Sequence, residues 1–235
     1  MSASDVRKRK AEPPPTATVV PAFNAARHLA AVLERIAAVD ATLPVIVVDD
    51  GSTDGTADVA RAHGVHLVMH PENRGKGAAL ASGIAMAHDL GMEFAITLDA
   101  DGQHNTDEIP RFIECQMRTG ADVIVGNRMA DRRDMPFMRV FANRVTSAFV
   151  SLRAGTYIPD SQNGYRMLRT SLVQRFRLET TRYDTESEIL IKAGRAGASI
   201  ESIPVQTIYG SEESGVNPLV DTLRFLRLVI KSFFW

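Results

Sequence analysis

Apolar positions along the first half of the chain alternate between two spacings. Val45–Val48 is a continuous apolar run, the pattern of a strand buried on both faces of a parallel sheet, and Ala17–Val20, Val65–Met69, Phe94–Leu98 and Asp122–Gly126 read as further short strands. Between them the period lengthens. From Asn24, a residue type that caps helices, Leu29, Val32, Leu33 and Ile36 recur at i, i+3, i+4 and i+7 and mark one apolar helix face. A second helix is predicted to start near Gly55, an alanine-rich one to span Gly75–Leu90, and another to follow a cap at Thr106. This alternation predicts an α/β fold, an open and mostly parallel sheet with helices on both faces. The second half is mixed: a helix over Phe137–Leu152, a polar loop at Asp160–Gly164, a strand at Tyr165–Leu168, a helix near Glu186–Ala196 and two short strands flanking Pro204.

Residues 1–15 read as a mobile tail that is basic and proline-rich, residues 16–216 as the domain, and residues 217–235 as an amphipathic helix. In that helix Leu219, Leu223, Leu226, Ile230 and Phe233 share one side, and Arg224, Arg227 and Lys231 another. A basic amphipathic helix ending in Phe233-Phe234-Trp235 suits a lipid interface; packing on the domain, or against a second copy in a homo-oligomer, is the alternative.

Composition narrows the classes. At 235 residues, with 45% hydrophobic and 23% charged residues, the chain fits one soluble domain with a C-terminal extension. A formal net charge of -1 gives no ground for nucleic-acid binding. The single cysteine, Cys115, excludes an internal disulfide and a multi-cysteine metal site and suits a reducing compartment. No apolar stretch follows the basic cluster Arg7–Lys10, so a secretion signal is not expected. No run of 18 apolar residues occurs, so no bilayer-spanning segment is expected either. The expectation is a cytoplasmic protein, with peripheral contact at the inner face of the membrane if the C-terminal helix binds lipid.

In open α/β sheets ligands bind beyond the carboxyl ends of the strands, and three polar clusters sit at such ends: Pro21–Asn24, Asp49–Ser52 and Asp99–Gln103. In the last, Asp99 and Asp101 flank the small residue Ala100 at the end of a rigid strand; Gly102 permits a tight turn and Gln103 adds a carbonyl oxygen. This suits Mg²⁺ or Mn²⁺, hard cations that take oxygen ligands and retain waters, and such an ion would neutralise charge developing on a departing diphosphate. Asp50 could accept hydrogen bonds from a ribose or base, or serve only a turn. Asn73-Arg74-Gly75-Lys76-Gly77 sets glycines and two cations before a helix N-terminus, as a phosphate cradle does. It lacks P-loop spacing, which argues against ATP hydrolysis. Arg128, after its strand, could meet phosphate, as could Arg132, Arg133 or Arg139, although an arginine run also serves as a solvated face. If an acceptor hydroxyl needs deprotonation, Asp160 ranks first, Glu188 second and Glu186 third; a turn carboxylate and helix-surface carboxylates are the alternatives.

Taken together, Val20-Pro21-Ala22-Phe23-Asn24, Val48 to Thr56, Asn73 to Gly77, Asp99-Ala100-Asp101-Gly102-Gln103 and Gly126-Asn127-Arg128 resemble the inverting family 2 glycosyltransferases of GT-A fold. Asp160-Ser161-Gln162-Asn163-Gly164-Tyr165-Arg166 and Glu186 to Leu190 resemble the later motifs of the dolichol-phosphate mannosyltransferase, or polyprenyl-phosphate glycosyltransferase, group. The resemblance implies that Pro21, Ala22, Phe23, Asn24 and Asp50 hold the nucleoside of a GDP- or UDP-linked hexose, and that Lys76, Asp99, Ala100 and Asp101 complete the nucleotide site. It further implies that Asp99, Asp101 and Gln103 serve the metal and diphosphate, that Asp101 is catalytic together with Asp160 and Glu188, and that Arg128 and Arg139 approach phosphate. The implied acceptor is a polyprenyl (dolichyl or undecaprenyl) phosphate; a hydroxyl on a soluble or cell-envelope glycan is the alternative. The Gln-x-x-Arg-Trp pattern of processive synthases is absent. A sugar-nucleotide-forming nucleotidyltransferase is disfavoured because Pro21–Asn24 stands where its Gly- and Lys-rich loop is expected. A non-catalytic binding module is disfavoured by the intact Asp99, Asp101 and Gln103.

Overall fold

The computed structural model describes residues 12–130, 135, 137–180, 184–208, 229 and 232. Strands β1 (Thr16–Ala22), β2 (Val45–Asp49), β3 (His66–Met69), β4 (Phe94–Thr97), β5 (Val123–Asn127), β6 (Arg166–Arg169) and β7 (Ile200–Pro204) form one sheet in the order β3-β2-β1-β4-β6-β5-β7. Strand β6 runs antiparallel to β4 and β5, and the other pairings are parallel. Helices α1 (Ala26–Val39), α2 (Thr56–Ala62), α3 (Lys76–Asp89), α4 (Ile109–Thr119), α5 (Phe137–Ala154), α6 (Thr170–Val173) and α7 (Asp184–Arg195) accompany it. The apolar strands β1, β2, β4 and β5 bury both faces, while the edge strands β3 and β7 stay partly exposed. One core joins Val20, Leu29, Ile36, Phe112 and Tyr165, and the other joins Val19, Ile84, Val150 and Leu190.

The chain runs outward from β1 through β2 to β3, then returns to place β4 on the other side of β1. That reversal opens a crevice at the carboxyl ends of β1 and β4, the place where such sheets take ligands. Among the described residues no helix is long and apolar enough to cross a membrane.

Four local expectations need correction. Thr106 is not the cap of the helix that follows: Asn105 Oδ1 accepts from Asp107 N, Thr106 opens a 3-10 turn (Thr106–Glu108), and α4 starts at Ile109. Asn24 does not cap α1; its backbone is left-handed (φ 49°), and the N–H groups of Ala25 and Ala26 donate instead to Thr56 Oγ1 and Asp54 Oδ2 on the loop after β2. The short helix α6 was not foreseen, and Pro204 ends one strand rather than separating two. Beyond it Thr207 bridges to His104. Most of residues 217–235, with the Leu219–Phe233 stripe, lies outside the described residues, as do Arg132 and Arg133. Ser232 is helical, and its carbonyl accepts from Arg153 Nη2 at 2.5 Å and Arg195 Nη1 at 3.2 Å.

Close packing of α7 on α5 depends on Gly194, where a Cβ would stand 2.3 Å from the Ala154 carbonyl oxygen and 2.7 Å from its Cβ. A backbone oxygen cannot rotate aside as a side chain can. Gly194→Ala is therefore expected to destabilise the fold by about 2–3 kcal/mol, measured as a lower urea midpoint; an unchanged midpoint would show that the helices slide apart without cost.

Candidate active site

Two loops build one wall of the crevice. Asn24 Oδ1 accepts from the Thr53 N–H, and the Asn24 N–H donates to Ser52 Oγ, both at 2.9 Å. Pro21 and Ala22 are buried at the end of β1, while Phe23 stands half exposed on the rim. Asp50 turns away from the opening. Its carboxylate, 2% exposed, accepts from the N–H groups of Arg74 (3.0 Å) and Gly75 (2.7 Å) and pairs with His70 Nδ1 at 2.6 Å, while His70 Nε2 meets Ser82 Oγ. Asp50 thus fixes the loop that delivers Lys76.

Lys76 is the first residue of α3, and its ammonium lies 2.6 Å from Asp99 Oδ1 and 2.8 Å from Glu186 Oε1. Burial opposes that charge, but the two carboxylates outweigh it and hold Lys76 protonated well above the usual lysine range. Burial likewise pushes Asp99 toward its neutral form, yet the Lys76 ammonium, with Arg128 behind it, pulls its carboxyl down to about 2. Gly164 makes the cluster possible, since a Cβ there would come within 2.9 Å of Glu186 Oε1 and 3.0 Å of Lys76 Nζ.

Beneath the Asp99–Asp101 turn, the Asp99 N–H donates to His104 Nδ1 at 3.0 Å, which leaves the proton of the neutral ring on Nε2. His104 is buried against Tyr165 with ring centroids 4.9 Å apart, and this burial holds its pKa below the ordinary value. Asp101 is exposed and accepts from the Gln103 N–H, whereas Ala100 belongs to the core. The Gln103 carbonyl accepts from Ile208 N. Among the described residues no three His, Cys, Asp or Glu side chains converge as a metal cage. The groups able to ligate a divalent cation here are Asp99 and Asp101, leaving other positions for ligand oxygens or water, as hard cations accept.

The opposite wall is a second ionic cluster. Asp160, fully buried, accepts four hydrogen bonds: from Arg128 N, Nε and Nη2 at 3.0, 2.8 and 2.9 Å, and from Asn143 Nδ2 at 2.6 Å. Burial would raise its pKa, but the Arg128 guanidinium and Asn143 hold it below the usual carboxylate value. A carboxylate so occupied anchors Arg128; it is poorly placed to take a proton. Under it, Arg166 is 1% exposed and donates to the carbonyls of Asn163, Glu186 and Ser161 at 2.7, 2.5 and 2.7 Å.

Glu188, ranked above Glu186 from sequence, is turned elsewhere. It accepts from Glu179 N, Thr180 N, Thr180 Oγ1 and Lys192 Nζ, and so ties the preceding loop to α7. Glu186 is the residue of the pair that reaches Lys76. Arg139 lies exposed near the start of α5. Sequence reasoning gave no role to His104, Arg166, His70 or Asn143; each acts through contacts with distant segments, and only the histidine two residues after the acidic turn's glycine carried a local signal.

Asp160 also sets a pH dependence. Its folded pKa lies below the unfolded value, so its stabilisation is complete above about pH 4 and fades as pH falls through the folded value. Thermal midpoints followed from pH 6 downward are expected to drop less steeply for Asp160→Asn than for the wild type; parallel curves would show that the ion pair with Arg128 is not coupled to folding.

The family model of glycosyl transferase family 2 matches residues 18–177. The chain is 31% identical over 210 residues to the UDP-N-acetylglucosamine–dolichyl-phosphate N-acetylglucosaminyltransferase of Methanococcus voltae, covering 79% of this chain and 84% of that protein. It is 28% identical over 199 residues to the undecaprenyl-phosphate mannosyltransferase of Micrococcus luteus, covering 80% and 81%. Among solved structures, glucosyl-3-phosphoglycerate synthase from Mycobacterium tuberculosis, in complex with Mn²⁺, UDP and glucosyl-3-phosphoglycerate, superposes with a TM-score of 0.72 over 95% of this chain and 80% of that one, at 20% identity. That likeness carries the GT-A fold. With the strand-end carboxylates and the match over most of its length, the chain belongs to glycosyl transferase family 2, and it is a glycosyltransferase.

Proposed function

We propose that the protein transfers a hexose, with inversion, from a GDP- or UDP-sugar to a polyprenyl phosphate. The observation that carries this reading is the state of the carboxylates nominated as bases. Asp160 and Glu188 are both filled with hydrogen-bond donors, and the third, Glu186, is paired through Oε1 with the Lys76 ammonium. A hydroxyl acceptor needs a base within reach. A phosphate monoester, with a second pKa of about 6, is already largely ionised near neutral pH. Arg128, held by Asp160 at the mouth of β5, is a cation suited to such a group. Relatives named for dolichyl and undecaprenyl phosphate support the same acceptor class.

In this reading the nucleoside rests over Pro21–Asn24, on the wall that Asn24 and Asp50 hold in place. Asp99 and Asp101, with Gln103 beside them, would hold Mg²⁺ or Mn²⁺, which when bound neutralises charge on the diphosphate. Lys76 supplies a further cation for that diphosphate. The acceptor phosphate oxygen, oriented by Arg128, attacks the anomeric carbon; the bond to the diphosphate breaks and its electron pair leaves with the nucleoside diphosphate. No protein group need accept a proton.

The test is transfer of labelled sugar from GDP- and UDP-hexoses to a short polyprenyl phosphate, paired with the corresponding polyprenol. Product is expected with the phosphate and not with the alcohol. The donor that reacts should also raise the melting temperature in the presence of Mn²⁺. Transfer to hydroxyl acceptors alone would replace this reading with the glycan-directed one.

A further inference from the structure

The helix whose inner side supports the Arg128–Asp160 wall has an outer side that nothing described covers. On α5, Phe137, Met138, Phe141, Val145 and Leu152 are 78%, 70%, 56%, 47% and 78% exposed. At about 100° per residue these five fall within an arc of roughly 100°. Such a contiguous apolar stripe is unusual on a water-facing helix, whereas single exposed apolar residues are ordinary. The charge pattern narrows the occupant. Helix α5 carries Arg139, Arg144 and Arg153 and no acidic residue at all. Arg144 borders the stripe on one side, and Arg153, whose guanidinium donates to the Ser232 carbonyl, borders it on the other. The inner side of the same helix presents Asn143 to Asp160, and Ser147 to the Ser161 N–H at 2.8 Å.

From this arrangement we infer that α5 is an anionic-membrane docking helix, its apolar stripe entering the interface and the exposed Arg139 and Arg144 meeting lipid phosphates. An apolar face flanked by arginines with no compensating acid is the composition of an interfacial helix, and its positive charge complements an anionic leaflet. The same composition is poorly suited to pairing with a second copy of itself, since two such helices face to face would set arginine against arginine. Docking along α5 would lay the membrane beside the loop that holds Arg128, so a lipid-linked phosphate would arrive on the side where that arginine stands. This purpose rests on the acceptor reading proposed above; the docking itself does not.

The full chain is mixed with sucrose-loaded vesicles of phosphatidylcholine, with and without phosphatidylglycerol, and the bound fraction is measured after sedimentation. Wild type is expected to bind the anionic vesicles, less so in high salt, and the triple variant Phe137→Ser, Phe141→Ser, Leu152→Ser to lose at least roughly tenfold in partitioning. These side chains point away from the core, and an unchanged melting temperature would show that the variant is folded. A second variant, Arg144→Gln, keeps the stripe and should lose binding only where phosphatidylglycerol is present. Equal binding by wild type and the triple variant overturns the inference. So does absence of vesicle binding together with a dimer that the triple variant dissolves, which would make the stripe an interface between copies. Vesicle binding that depends on α5 but is accompanied by no transfer to polyprenyl phosphate would sink the acceptor reading and leave this one standing.

Discussion

Replacing Asp99 with Asn is expected to lower sugar transfer by about two to three orders of magnitude, the range seen when a group stabilising developing charge is removed. The carboxylate stands at the end of β4 with its N–H tied to His104 and one oxygen on Lys76. Its low pKa, about 2, means that it is ionised at any working pH and offers full negative charge to a cation. Asparagine keeps the shape and one carbonyl oxygen but loses the charge, so Mn²⁺ should no longer raise the melting temperature in the presence of donor. The fold itself should survive with a loss of about 1–2 kcal/mol, because Lys76 retains Glu186 as a partner. The decisive pair of measurements is kcat and the Mn²⁺-dependent thermal shift. A variant that transfers within threefold of wild type, or that still responds to Mn²⁺, would remove Asp99 from the proposed centre.

The largest stability loss is expected from Arg166→Met. The guanidinium lies in the protein interior and each of its three arms reaches a different carbonyl, on Asn163, Glu186 and Ser161. Burial opposes the charge and holds its pKa below the ordinary arginine value, Glu186 and Asp160 offsetting only part of that penalty. Methionine fills a similar volume but takes the guanidinium donors away from three buried carbonyls and removes one of the cations facing Asp160 and Glu186, which keep Arg128 and Lys76. Breaking one side of such a network costs on the order of 3–5 kcal/mol, a large part of a domain's usual margin of about 5–15 kcal/mol. Urea unfolding followed by circular dichroism would measure it. Arg166→Lys should recover only part of the loss, since an ammonium cannot reproduce three divergent arms. A loss below about 1 kcal/mol would show that other contacts fix the 160–164 loop.

The parts of this protein that were legible in its sequence are those governed by nearest-neighbour pattern. The apolar run Val45–Val48 and the short apolar or β-branched stretches around it gave the inner parallel strands, because burial on both faces favours apolar side chains along the whole strand. The acidic turn after Leu98 was readable because topology places strand ends at the ligand edge. What escaped were roles decided by partners far along the chain. Asp160 looked available, yet its saturating donor, Arg128, sits 32 residues earlier. Glu186 and Glu188 are two positions apart on one helix, hence on different sides, and only the packing of α7 decides which one reaches Lys76. Asn24 carries a capping signal, but Asp54 and Thr56 on a neighbouring loop fill that place and free it to bind Thr53.

The insertion of β6 between β4 and β5 has a consequence for how the chain assembles. Strands β1 to β4 can zip together in the order in which they leave the ribosome, each beside one already formed. Strand β5 cannot follow them, because the edge of β4 is reserved for residues 166–169, and β7 in turn must wait for β5. The second half therefore joins only after some forty more residues have emerged, counting from the end of β5 at Asn127 to the end of β6 at Arg169. Such non-local pairing is slow, and until it occurs the growing chain carries an open β4 edge that a chaperone, or another nascent copy, could occupy.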